Sequence, residues 1–161
     1  MNSQNDCKML SIDYIKEKIS SLEQFKDEDK IESQVYSADG YDEIIAILEN
    51  FTEIDFPCVI FEDPSLGVIS INEGPLDTST CSFWVMTVKD REDGNAAYFA
   101  EMKGLAIEII KRLVKGYNEG DSEMKDWDTG RISWGKRMGG PNCLGYEITL
   151  TFNENINLYG E

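Results

Sequence analysis

The spacing of apolar positions changes several times along the chain, and each change marks an element. In SIDYIKEKISSLEQF, Ile12, Ile15, Ile19 and Leu22 recur at helical intervals behind Ser11, a suitable N-cap. The charge run KDEDKIES breaks the pattern and reads as a solvated connector. A second helix is predicted in DGYDEIIAILENF, where Ile44, Ile45, Leu48 and Phe51 form a stripe and Asp39 and Asp42 sit near the positive end of the dipole. FPCVIFEDP then turns to strand chemistry between two prolines, and GVISINEGP makes a second short strand. After LDTST, read as a polar turn, CSFWVMTVKD makes a third.

That third strand does not alternate. Cys81, Phe83 and Val85 occupy one face and Trp84, Met86 and Val88 the other, so both faces require cover. Leaving an indole in water forgoes about 2–3 kcal/mol of burial. Two sources of cover fit the second face: helices from the N-terminal half, or another subunit, for which tryptophan is a favoured anchor.

REDGN is a turn cluster, and the clearest helix follows, over about residues 96–116. Tyr98, Phe99, Met102, Leu105, Ala106, Ile109, Ile110, Leu113 and Val114 keep the helical rule, with Asn95 as a cap, Lys111, Arg112 and Lys115 at the negative end and Gly116 as a left-handed stop. An acidic loop, NEGDSEMKDWDTG, leads to the strand RISWGKRMGG, a Gly-Pro-Asn turn and the strand YEITLTF. In the last, Tyr146, Ile148, Leu150 and Phe152 share one face. Clustered strands predict an α+β fold, a mainly antiparallel sheet packed by the long helix, with N-terminal helices. The expected organisation is a single domain, 1–161, with residues 1–37 a helical extension and 153–161 a flexible tail.

Composition narrows the function. With 15 Lys and Arg against 31 Asp and Glu the formal net charge is −16, which disfavours nucleic acid and anionic membranes as partners. No apolar run is long enough to span a bilayer, and the N-terminus lacks the features of a secretory signal, so an intracellular protein is expected. Cys7, Cys58, Cys81 and Cys143 are scattered and histidine is absent, which removes zinc fingers and histidine-based triads. Cys58 and Cys81 read as core filling, GGPN as a turn rather than a phosphate loop, and Asp126 and Asp128 as solvated carboxylates rather than a metal site. No catalytic residue and no cofactor is expected.

The order of elements, an N-terminal helix, strands PCVIFED, GVISINEG and CSFWVMTVKD, helix AAYFAEMKGLAIEIIKRLVKG, then strands RISWGKRM and YEITLTF, resembles the tail-terminator and tail-completion proteins of long-tailed bacteriophages. The resemblance runs from Asp39 to Phe152 and leaves out the first helix and the tail bearing Tyr159. It implies a structural, non-enzymatic subunit of a hexameric ring at the head–tail junction, bound to tail-tube or head-connector proteins, present in the host cytoplasm during assembly and then in the virion. On that basis Trp84, Met86, Val88 and Trp134 are expected at a subunit interface, and Asp121, Glu123, Asp126 and Asp128 on an acidic loop facing the lumen or a partner. The rival expectation is an acidic inhibitor or immunity-type binder that mimics DNA or neutralises a basic toxin.

Overall fold

The computed structural model describes residues 10–62, 67–71 and 75–156. Its elements in chain order are α1 (Ile12–Ile19), β1 (Val35–Ala38), α2 (Tyr41–Glu49), β2 (Cys58–Glu62), β3 (Gly67–Ser70), β4 (Leu76–Val88), α3 (Asn95–Asn118), β5 (Trp127–Gly139) and β6 (Cys143–Asn155). The fold is α+β, as the clustering of strands predicts.

One mixed sheet carries all six strands, in the order β1-β2-β4-β6-β5 with β3 also on β4. Every pairing is antiparallel except β1 with β2. β4 is the spine. It pairs along its whole length with β6, from Leu76↔Asn155 to Val88↔Cys143, while β2 and β3 share its other side. Gly145 makes the close β4–β6 approach possible, because a Cβ there would lie 1.9 Å from the Val85 carbonyl oxygen.

Helices cover both faces of the sheet. On one face, α1 and α3 lay Ile15, Ile19, Met102, Leu105, Ile109 and Leu113 over Phe61, Phe83, Val85, Tyr146, Ile148 and Leu150. On the other, α2 brings Ile44 and Leu48 against Ile60, Trp84, Met86, Cys58 and Cys143. The doubly apolar strand thus divides two cores, and Cys58, Cys81 and Cys143 lie buried within them.

Four details depart from the sequence expectations. Residues 1–37 are not a purely helical extension: of the part described, α1 and two 3₁₀ turns lead into β1, whose first residues belong to the sheet edge. LDTST is not a turn but the first part of β4, with Leu76–Ser79 paired between β3 and β6. The long helix begins behind Gly94 rather than being capped by Asn95, and it runs through Gly116 to Asn118. Gly116 is helical and buried; the left-handed residue is Gly120, at φ 79°. In the tail, Asn153–Asn155 complete β6, and residues 157–161, with Leu158 and Tyr159, lie outside the described residues.

Candidate interaction surface

The expected interface residues separate into two groups. Trp84 and Met86 are 1% and 0% exposed beneath α2, so they are core and not a subunit interface. The cause is local: Ile44 and Leu48, four residues apart on α2, project onto the same patch of sheet. At the rim of that core the Tyr41 ring lies 5.8 Å from the Trp84 ring, and the Arg137 guanidinium lies over it at 5.8 Å. Val88 is half-buried. Trp134 is different, with 57% of its surface exposed.

The acidic residues likewise divide. Asp121 accepts a hydrogen bond from the Tyr14 hydroxyl at 2.8 Å and pairs with Lys18 at 2.7 Å. Both partners lie on α1, so this carboxylate fastens α1 to the end of α3. The Lys18 and Tyr14 bonds hold the Asp121 carboxyl below its ordinary value. Burial, then the hydrogen bond to Asp121, pushes the Tyr14 phenol up. Glu123 accepts from the backbone N–H of Ser11 at 3.0 Å and from its hydroxyl at 3.3 Å, and the same hydroxyl caps α1 by accepting from the Tyr14 N–H at 3.2 Å. Asp121 and Glu123 therefore brace their own chain instead of forming a free acidic face. Asp128 pairs with Arg131 at 3.3 Å and accepts from the Gly130 N–H at 3.1 Å; Asp126 takes an Asn153 N–H on its main-chain carbonyl at 2.8 Å. Trp127, between them, is 4% exposed, its ring edge-on to Tyr117 at 6.0 Å.

What stands out on the surface is β5. Among the described residues it ends the sheet, pairing with β6 alone, and from Thr129 to Met138 nearly every residue is exposed. Residues 129–142 carry Arg131, Lys136 and Arg137 and no acid, in a chain of net charge −16. Trp134 packs edge-on to Tyr146 at 5.6 Å, and the Lys103 ammonium from α3 sits over its ring at 4.1 Å. Lys136 lies over Phe99 at 4.8 Å, and Met138 is 63% exposed. Arg137 reaches the other face, where Glu147 receives it at 2.6 Å. Trp134 is thus an exposed aromatic with one cation over its ring and a second on the neighbouring Phe99, on the last strand of the described sheet.

At the opposite edge, α2 and β1 enclose a shallow cleft of about 280 Å³ whose lining includes Tyr36, Ile47 and Ile54, with Glu43 and Glu53 at its rim. Of this surface the sequence alone marks Trp134; Lys103, Lys136, Met138 and the cleft come together only in the fold. The acid-free run around Trp134 was the available signal. Among the described residues no group of three Cys, Asp or Glu side chains is placed to hold a metal ion, and no helix is long and apolar enough to cross a membrane. A comparison with protein-family models found no match, and a comparison with curated proteins found none either.

Proposed function

We propose that this chain is a structural, self-assembling subunit of the tail-terminator or tail-completion kind, forming a ring at the head–tail junction of a bacteriophage or prophage tail. The observation that carries this reading is the open β5 edge: a 57% exposed Trp134 among cations, in a chain otherwise dominated by acid. An α+β sheet with one long helix on a face, in the order set out above, is compatible with it. Ring subunits join through two unlike patches, and β5 supplies one of them. The excess of carboxylates suits a lumen that lets DNA pass without adhering. In this reading the protein has no catalytic role, its partners are copies of itself and tail-tube or head-connector proteins, and it moves from the host cytoplasm into the virion.

The rival reading, an acidic inhibitor or DNA mimic, draws on the same net charge. It calls for a spaced stripe of free carboxylates, whereas Asp121, Glu123 and Asp128 are bonded to their own chain. Size-exclusion chromatography with light scattering, at high protein concentration and low salt, distinguishes the two. A species at a multiple of 18.3 kDa is expected of the ring subunit; a strict monomer captured by a basic nuclease overturns it.

A further inference from the structure

Two charged groups beside Trp134 and two beside the α2–β1 cleft have no oppositely charged partner among the described residues. Lys103 and Lys136, beside Trp134, join no ion pair among the described residues, and neither do Glu43 and Glu53, beside the α2–β1 cleft. Glu43 accepts the Asp39 backbone N–H, and Glu53 the Asn50 side-chain amide at 2.6 Å. The two sites lie at opposite edges of the sheet, since β5 and β1 are its terminal strands. One is exposed, aromatic and basic; the other is a cleft with an apolar floor and two carboxylates.

We propose that Trp134 of one copy seats in the α2–β1 cleft of the next, with Lys103 and Lys136 meeting Glu43 and Glu53. The inference rests on the ring-subunit reading and names the contact that builds the ring. Charge complementarity selects the occupant: a chain of net charge −16 repels its own copies over most of its surface, so contact is favoured where the basic edge meets acid. Tyr36, Ile47 and Ile54 give the indole an apolar floor, and tryptophan set in a pocket with a charged rim is a common energetic centre of interfaces. Because the paired patches differ, the contact repeats head to tail and closes into a ring if the rotation per subunit allows.

Charge reversal tests this on the full chain by sedimentation velocity at low salt. Wild type is expected to assemble, while Lys103→Glu with Lys136→Glu, and separately Glu43→Lys with Glu53→Lys, give monomers of 18.3 kDa. An equimolar mixture of the two variants should assemble again, because each then offers its neighbour a complementary pair. Lys103→Gln with Lys136→Gln, a milder change, should weaken assembly without abolishing the fold, as circular dichroism would show. Reversed variants that assemble as wild type does, or a mixture that stays monomeric while wild type assembles, overturn the contact and leave the ring reading standing. Wild type that never assembles overturns both. A wild-type monomer whose tryptophan emission shifts on adding poly-glutamate would assign Trp134 to a foreign acidic segment instead.

Discussion

At Gly116 the backbone of α3 comes so near α1 that an added Cβ would lie 2.2 Å from the Tyr14 hydroxyl and 2.7 Å from the Asp121 carboxylate. A glycine there serves close packing, not a left-handed turn. Gly116→Ala is expected to lower stability by about 1–3 kcal/mol, measured by urea denaturation, with Tyr14→Phe recovering part of the loss in the double variant. Glu62 offers a test by pH. Burial, and secondarily the Glu147 carboxylate, raise its carboxyl above the ordinary 4.5. The folded state therefore holds the proton more tightly than the unfolded chain. Its favourable contribution is full below pH 4.5 and is lost as pH rises through the folded value. Glu62→Gln should raise the urea midpoint near neutral pH and leave it unchanged in acid.

Among elements, β4 and β6 set the frame. Gly145→Ala would drive a Cβ into the Val85 carbonyl and within 2.9 Å of the Met86 Cα, so a loss of about 3 kcal/mol is expected. Gly135→Ala, on β5, puts its Cβ 3.4 Å from the flexible end of Arg137 and should cost far less when both variants are compared by thermal melting. Elements were legible in the sequence where one periodicity held over many residues, as in α3, or where both faces of a strand were apolar, as in β4 at Phe83 and Trp84. β1 was not legible, because its four residues VYSA are too few to show a period and its place comes from parallel pairing with β2. LDTST was misread because its polar residues suit a turn as well as a strand, and only pairing with β3 and β6 decides between them.

For the whole molecule, charge is sorted as well as abundant. Acid prevails along the chain, yet β5 is locally basic, and the acidic cleft lies at the far end of the sheet. Trp134 was visible as a candidate from its residue type; its setting was not, since Lys103 comes from α3, distant in sequence, and Glu43 and Glu53 join Ile54 only through folding. The cover over Trp84 stayed open between helix and neighbouring subunit for the same reason, as the stripe on α2 fits that face but does not announce where it docks. A spine sealed on both sides has a consequence for how such a protein changes over generations. Every residue inserted in β4 answers to two cores at once, so novelty is steered outward, to the rim strands, where a new neighbour can be acquired without disturbing the middle.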